Sequence, residues 1–366
     1  MLLRLIMKKS NELLLISVFV IANTLAHADS KGATINNRAT PDCDTILSSV
    51  NQAIIFLASK QTANGAICEP SFAIFDVWET INATMAISLW ADYINYDKEE
   101  IVKKALDFLK SSENSNGVVL HNSHHQNTLC LETTAEYIRL LVGINRKLTP
   151  DINAKIAFVK KLELPSGQWK IFSPIIPEDL QEFPSVTAFA IRALLSANQE
   201  PAFKDSALQF LVNAQNSEGH WGAAWQYYGT PFYAMVPILQ VLATENSRHK
   251  YNKTISKARK YLTSSQKNDG SWFFKSPNLD LAPSPELQTA LAIQCCFFCG
   301  LKPKDKIVTR GVKWLLSRQT PLGSWSGGYF PYPDRRYRKI ENLYATAQGL
   351  TAFYEYYIRS IEIDKN

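Results

Sequence analysis

The hydrophobic positions of this chain recur with helical spacing, and the helices that they predict are of two kinds. Six amphipathic segments each lead into a turn that contains a glycine, at 53–61, 105–112, 156–162, 207–215, 258–266 and 311–319. A second, more uniformly apolar helix follows each turn, at about 78–93, 132–142, 187–196, 233–243, 287–300 and 344–357. The pattern predicts twelve helices in six consecutive pairs.

The glycines of these turns give the period of a repeat. They are Gly65, Gly117, Gly167, Gly219, Gly270 and Gly323. Successive members are 52, 50, 52, 51 and 53 residues apart. Such regular spacing is typical of a repeat architecture in which each unit is one supersecondary element.

The two kinds of helix differ in polarity, and this difference predicts how they are arranged. The first helices keep a charged stripe, such as Lys103, Lys104 and Lys110 in the second pair, whereas the second helices are apolar on most faces. A helix pair of this kind cannot bury its apolar face alone and must pack on its neighbours. The predicted fold is all-α, an (α/α)6 barrel with an inner and an outer ring.

A tryptophan stands two residues after the glycine in four of the six turns. The four are Trp169, Trp221, Trp272 and Trp325, and three of their turns are preceded by Gln215, Gln266 or Gln319. This pattern resembles the QW motif of squalene and other triterpene cyclases, within the wider prenyltransferase and squalene cyclase repeat family. The resemblance implies the same toroid, with Gln bonding the next turn and Trp packing across it.

The N-terminal segment has the features of an export signal. Lys8 and Lys9 precede the apolar run 13–22, and Ala26-His27-Ala28 supplies small residues for cleavage. The sequence therefore predicts a signal peptide at 1–28, a single toroid domain at 29–366, and a periplasmic or secreted protein. An uncleaved membrane anchor and a start at Met7 are the alternatives.

Composition and charge narrow the classes of partner. The chain has 366 residues, of which 46% are hydrophobic and 20% charged, which is ample for a large core. The net charge of +6 falls to +4 without segment 1–28, which carries Arg4, Lys8 and Lys9 against Glu12. This excess is too small for a nucleic-acid binder, but it would favour anionic substrates or a peripheral contact with membrane headgroups.

The catalytic candidates come from a second resemblance. Class II terpene cyclases protonate their substrate with a motif Asp-x-Asp-Asp-Thr-Ala, and Asp76-Val77-Trp78-Glu79-Thr80 is similar to it. Trp78 replaces the central acid and Glu79 replaces the last aspartate, so protonation would require Glu79 or Glu132 to supply the proton. We expect Asp76, Glu79 and Glu132 to converge at one mouth of the barrel. For Asp76, an N-cap of the following helix is an equal alternative.

Aromatic and basic residues supply candidates for substrate binding. Trp78 and the fourth-repeat residues Trp225, Tyr228, Phe232 and Tyr233 could stabilise carbocations with their ring faces, or could simply fill the core. Arg335 and Arg336 lie in the most basic segment of the chain and could clamp a diphosphate or sulfate, or could belong to a solvated loop. The expected ligand is a hydrophobic small molecule, an isoprenoid or another lipid.

Histidines and cysteines do not indicate a metal site. His121, His124 and His125 lie near Glu132 but lack the His-x-x-x-His spacing of a helical zinc site. In protein farnesyltransferases, which this chain resembles, a zinc-binding histidine follows the tyrosine that matches Tyr344. Ala345 stands there in this chain. We therefore predict no metal and no cofactor.

The six cysteines divide into two groups. Cys43 and Cys68 lie outside the strongest helical patterns and could form a disulfide in an exported protein. Cys295, Cys296 and Cys299 lie in an apolar stretch, and we interpret them as small buried residues.

The leading hypothesis is a terpene-cyclase-like enzyme that starts the cyclisation or isomerisation of an isoprenoid or lipid by protonating it inside the barrel. The first alternative is an exported, non-catalytic toroid that binds a lipid or a protein. The second is a carbohydrate-active enzyme, because (α/α)6 barrels also cleave sugars. The QW-like turns favour the first two.

Overall fold

A computed structural model describes most of the chain. The described residues are 41, 43–69, 74–123, 129–172, 183–222, 229–247, 249–274, 283–328, 330 and 341–364. They contain twelve helices and two very short strands. The segment 1–28, predicted to be a signal peptide, lies outside them.

The helices alternate between an outer and an inner position. The outer helices are α1 Cys43–Ser59, α3 Glu99–Ser111, α5 Pro150–Lys161, α7 Lys204–Asn213, α9 Asn252–Ser265 and α11 Lys306–Ser317. The inner helices are α2 Asp76–Ile94, α4 Leu131–Asn145, α6 Pro184–Ser196, α8 Pro231–Thr244, α10 Pro285–Phe298 and α12 Leu343–Asp364. Strands β1 Trp325–Ser326 and β2 Glu341–Asn342 pair antiparallel just before α12.

The inner helices form a closed ring. Each packs against the inner helix before it and the one after it, and α12 packs against α2. The outer helix α1 packs against both α2 and α12, so it covers the joint between the first and last repeats. This arrangement confirms the predicted (α/α)6 toroid.

Helix starts differ from the sequence-based bounds, mostly by a few residues. Prolines occupy the first turn of α5, α6, α8 and α10, where a missing N–H costs nothing. The largest difference is at α1, which begins at Cys43 rather than at residue 53. Its first turns contain polar residues between the apolar ones, which hid the helix from a reading of apolar pattern alone.

The four tryptophans of the QW-like turns are almost fully buried. Each indole N–H donates to the main-chain carbonyl of the residue ten positions earlier, near the end of the preceding outer helix. The acceptors and distances are Val159 at 2.9 Å, Leu211 at 2.7 Å, Leu262 at 2.9 Å and Leu315 at 2.8 Å. The indole thereby satisfies a helix-terminal carbonyl that has no partner within its helix.

The glutamines four residues before the glycines connect each repeat to the next. Gln266 donates to the carbonyl of Gly270 at 2.9 Å and to that of Ile307, in the next outer helix, at 2.8 Å. Gln61, Gln215 and Gln319 make the same two kinds of bond. The expected link from Gln to the following repeat is therefore present.

Glutamates occupy this position in the second and third repeats, and they make the same connection with different chemistry. The Glu163 carboxylate accepts the N–H groups of Ala202 and Phe203, just before α7, at 2.6 and 2.8 Å. Glu113 instead forms an ion pair at 3.0 Å with Lys155, a buried side chain of α5. All six turns are thus bonded to the next outer helix.

A positive φ explains why glycine ends each of these segments. Gly323, for example, has φ of +89°, and a Cβ there would lie only 2.4 Å from the carbonyl oxygen of Gln52 in α1. Any larger residue would be strained and would push the sixth turn away from the first outer helix.

None of the six cysteines forms a disulfide, so the suggested pair between Cys43 and Cys68 is not present. Burial, with the nearby charges of Glu79 and Asp76, raises the pKa of Cys68 to about 12. Cys295, Cys296 and Cys299 are buried, in agreement with their interpretation as core residues.

The residues that the structure describes offer neither a membrane span nor a metal-binding cluster. None of the helices placed there is long and apolar enough to cross a membrane. Within the same residues, no group of three or more His, Cys, Asp or Glu side chains could hold a metal ion.

Candidate active site

Threonines near the start of five inner helices define a common register. Their hydroxyls accept the N–H of the residue two positions after the turn glycine, at 2.9 to 3.3 Å. They are Thr80, Thr134, Thr187, Thr289 and Thr346. Residues at the same offset from these threonines therefore occupy equivalent places around the ring.

Asp76 holds a neighbouring loop. It is buried, and its carboxylate accepts the N–H of Val77 at 2.8 Å, the N–H of Ser123 at 2.9 Å and the Ser123 hydroxyl. The N-cap of α2 is Phe75, without a side-chain cap bond, so Asp76 lies inside the first turn and is not an N-cap. Its contacts fix segment 121–123 against α2.

Glu79 faces the turn that precedes its helix. The side chain is buried, and Oε2 accepts the N–H of Glu69 at 3.2 Å. Glu69 in turn forms an ion pair with Lys60 at 3.3 Å. Glu79 thus lies at the same end of the ring as Glu132 but contacts the connection between α1 and α2.

Glu132 contacts two other inner helices. It lies in the first turn of α4 and is buried, with about 4% of its surface exposed. Ser185 of α6 donates to Oε1 at 3.3 Å, and the Tyr233 hydroxyl of α8 donates to Oε2 at 3.3 Å. Among Asp76, Glu79 and Glu132, it is Glu132 whose described contacts lie within the inner ring.

Five aromatic side chains, here called the aromatic cluster, surround this part of the ring. They are Trp78, Phe189, Tyr233, Phe330 and Tyr344. Tyr344 is central, with ring centroids 5.8 Å from Trp78, 6.4 Å from Tyr233 and 5.1 Å from Phe330. Burial, then the charges of Glu136 and Glu132, raise the pKa of Tyr344, so its hydroxyl stays protonated.

Aligning the inner helices on these threonines changes which helix start best matches the cyclase-like motif. In Asp-x-Asp-Asp-Thr-Ala the central acid stands two residues before threonine. In α2 that place holds Trp78, whereas in α4 it holds Glu132, followed by Thr134 and Ala135. The Thr-Ala ending was the available sequence signal. It fits the start of α4 better than that of α2, where Thr80 is followed by Ile81.

A cavity of about 60 Å³ occupies the barrel interior below the start of the inner helices. Trp78, Tyr233 and Tyr344 line its upper part. One helical turn or more further in, its wall contains the polar side chains Asn82, Glu136, Arg139, Arg192, Gln294 and Gln348. The interior therefore changes from an aromatic level to a polar level with depth.

Comparison with known proteins identifies relatives for the second half of the chain. The family model of the squalene-hopene cyclase C-terminal domain matches residues 178–356. This part of the chain is similar to the squalene-hopene cyclase family. The match begins just before α6, so the cyclase-family region contains Ser185, Tyr233 and Tyr344, whereas Asp76, Glu79 and Glu132 precede it.

A curated relative is lanosterol synthase of Saccharomyces cerevisiae. It is 30% identical over 125 residues, which are 32% of this chain and 17% of the synthase. The squalene cyclase-like chain thus matches less than a quarter of the length of that relative.

Solved structures share the toroid along most of the chain. The type II terpene cyclase MstE from Scytonema, in complex with geranylgeranyl dihydroxybenzoate as substrate, aligns with a TM-score of 0.65 and 19% identity. That alignment covers 86% of this chain and 98% of MstE. A possible member of the GH105 family from Klebsiella pneumoniae aligns with a TM-score of 0.59 and 11% identity, over 91% of this chain and 100% of that one. Both likenesses show the fold.

The predicted binding residues of this squalene cyclase-like chain have different positions. Trp78 and Tyr233 line the cavity. Phe232 does not, because it is buried against Tyr261 of α9, with ring centroids 6.1 Å apart. Its side chain packs between the inner and outer rings of helices. The candidates that lie outside the described residues are Trp225, Tyr228, Arg335 and Arg336, as well as His124 and His125.

Proposed function

We propose that this chain is a class II terpene cyclase-like enzyme in which Glu132 starts the reaction of an isoprenoid by protonating a carbon–carbon double bond. The observation that carries the proposal is the position of Glu132, a buried carboxyl bonded to Ser185 and Tyr233 beside the aromatic cluster. A positioned carboxyl of this kind can act as a general acid.

The chemistry needs only the groups of this site and the substrate. Transfer of the Glu132 proton forms a C–H bond at one alkene carbon and leaves a tertiary carbocation at the other. The π electrons of a second alkene then form a C–C bond to that cation, and loss of a proton from a neighbouring carbon ends the sequence. The product has the composition of the substrate, so the reaction is an isomerisation.

The aromatic cluster would stabilise the cationic intermediates. Trp78, Tyr233 and Tyr344 line the cavity, and the Tyr233 hydroxyl is bonded to Glu132. A ring face attracts a cation by about 2 kcal/mol or more when both are desolvated. Asp76 and Glu79 donate no proton in this account, because their described bonds go to loops.

The relatives support the class of substrate. MstE is described with an isoprenoid substrate, geranylgeranyl dihydroxybenzoate, and with the product merosterolic acid A. The lanosterol synthase relative and the squalene-hopene family model point to linear isoprenoids as well. We infer that the ligand of this chain is an isoprenoid or a similar lipid.

Non-catalytic binding of such a lipid is the second candidate function, and one observation favours it. When the cyclase motif is aligned on Thr134 of α4, Cys130 and Thr133 occupy the positions of its first and last aspartates. Glu132 therefore lacks the carboxylate neighbours that accompany the acid in that motif.

The test uses geranylgeranyl dihydroxybenzoate and squalene as substrates. The products are separated by chromatography, and their masses are measured by mass spectrometry. We expect a product of unchanged mass from the wild type and loss of turnover by about a hundredfold to ten-thousandfold in Glu132→Gln. The matched control Glu79→Gln should retain turnover within a fewfold. Binding without any product in the wild type would favour the second candidate function.

We also propose that segment 1–28 directs export. Lys8, Lys9 and the apolar run that follows support this proposal. N-terminal sequencing of the native protein should find a start near Asp29. A retained Met1 or Met7 in a cytoplasmic fraction would contradict the proposal.

A further inference from the structure

The polar level of the cavity contains a group of charged side chains that the proposed reaction does not use. Glu136 and Arg139 belong to α4, one and two helical turns beyond Glu132, and Arg192 belongs to the neighbouring α6. The side chains of all three are at least nine-tenths buried, and all three line the cavity. Charges at such depth require partners, because burial removes their hydration.

Both carboxylate oxygens of Glu136 accept hydrogen bonds from Arg139. The Arg139 guanidinium donates through one nitrogen to both carboxylate oxygens, at 2.9 and 2.6 Å. Burial alone would raise the pKa of Glu136, but the charges of Arg139 and Arg192 outweigh it and lower that pKa. Glu136 is therefore ionised at neutral pH.

Arg192 is not engaged in the same way. Its terminal nitrogen lies 3.9 Å from Glu136, beyond hydrogen-bond distance, and its buried Nε has no hydrogen-bond partner among the described residues. The guanidinium packs over the ring of Phe189 at 5.5 Å, which fixes its orientation. Burial and the charge of Arg139 lower the pKa of Arg192 to about 10, so it still carries its charge at neutral pH.

The four charged side chains that line the described cavity are not all paired with one another. Its lining contains two arginines, Arg139 and Arg192, and two glutamates, Glu136 and Glu355. Glu355 is bonded to Arg359 at 3.0 and 3.1 Å, and Glu136 is bonded to Arg139. Of the two arginines in this lining, Arg192 is the one without a hydrogen-bonded carboxylate, so its donors are left for a ligand.

We propose that Arg192 binds the carboxylate of the ligand at the polar level of the cavity. The planar guanidinium presents paired donors that match a carboxylate, and a single uncompensated positive charge matches a monoanion better than a diphosphate.

This inference rests on the proposed function and specifies its substrate as an isoprenoid carboxylate. Arg192 lies seven residues beyond Ser185, the α6 partner of Glu132, which corresponds to about 10 Å along the helix axis. The carboxylate and the double bond that receives the proton should therefore be separated by about this distance. A short isoprenoid chain spans it.

The test measures binding of three C15 probes by titration calorimetry: farnesoic acid, farnesol and farnesyl diphosphate. We expect farnesoic acid to bind the wild type about ten- to hundredfold more tightly than farnesol, as a charge-assisted bond predicts. Arg192→Gln should remove that advantage and leave farnesol binding within twofold. Arg259→Gln, the same change on an exposed outer-helix residue, should alter neither.

Three results would overturn the proposal: equal loss of acid and alcohol binding in Arg192→Gln, Arg192-dependent binding that is tighter for the diphosphate, or no saturable binding of the acid to the wild type. Glu132→Gln distinguishes this proposal from the proposed function, because it should bind farnesoic acid normally without turnover. Arg192-dependent acid binding without product in the wild type would contradict only the proposed function.

Discussion

The side-chain amide of Gln319 donates a hydrogen bond of 2.9 Å to the main-chain carbonyl of Ser49, a residue 270 positions earlier in the chain. The Ser49 hydroxyl returns a bond of 2.7 Å to the same side chain. Through these contacts the sixth turn holds the first outer helix, as each earlier turn holds the next one. The joint between the ends of the chain is therefore built like the joints that Gln61, Gln215 and Gln266 make.

The first prediction concerns this joint. In Gln319→Glu a carboxylate would face the carbonyl oxygens of Ser49 and Gly323, to which the amide now donates. We expect a loss of about 1–3 kcal/mol in the free energy of unfolding, measured with denaturant. Gln209→Glu, the same change at an exposed position of α7, is the control and should cost less than about 0.5 kcal/mol. Equal effects at the two positions would show that the joint does not need the amide.

The second prediction concerns the tryptophans. Trp272 is fully buried and donates to the carbonyl of Leu262, so Trp272→Ala should cost about 3–5 kcal/mol of unfolding free energy. The adjacent Phe273 is 36% exposed, and Phe273→Ala should cost far less. If the unfolding free energy lost in Trp272→Ala were below about 1 kcal/mol, the indole would not be the group that stabilises the fifth turn.

The regular spacing of the turn glycines made the fold predictable from the sequence. The partners that each side chain meets within the toroid were not predictable. The turn glycines and the QW-like turns are sequence signals, and they gave the number and order of the helices correctly. The equivalence of Glu113 and Glu163 with the glutamines could not be predicted. A glutamate makes the same connection only because the structure offers it Lys155, or the N–H groups of Ala202 and Phe203.

The candidate site shows the same limit. Glu79 and Glu132 both stand near the starts of inner helices, and apart from the Thr134-Ala135 ending nothing in their own neighbourhood distinguishes them. The inner-ring contacts of Glu132 come from Ser185 and Tyr233, which are 53 and 101 residues away in the chain. Phe232 and Tyr233 illustrate the point at adjacent positions, because one packs outward on Tyr261 and the other lines the cavity.

The third prediction concerns the thiols. Cys43 is partly exposed, whereas the other five cysteines are buried. Burial raises the pKa of Cys130 to about 11, with a smaller effect of the Glu132 charge, and that of Cys299 to about 12. Because the thiolate is the reactive form, iodoacetamide at pH 8 should label Cys43 first and the others only after unfolding. A native mass two units below that of six free thiols would instead show a disulfide.

The most direct test of the account is the reaction in D2O, where the carboxyl proton of Glu132 exchanges for deuterium. We predict that the product formed by the wild type from geranylgeranyl dihydroxybenzoate or farnesoic acid carries one deuterium on carbon, and that Glu132→Gln forms almost none of it. A product without deuterium on carbon, or a Glu132→Gln variant that forms it at the wild-type rate, would contradict the assignment of Glu132 as the acid.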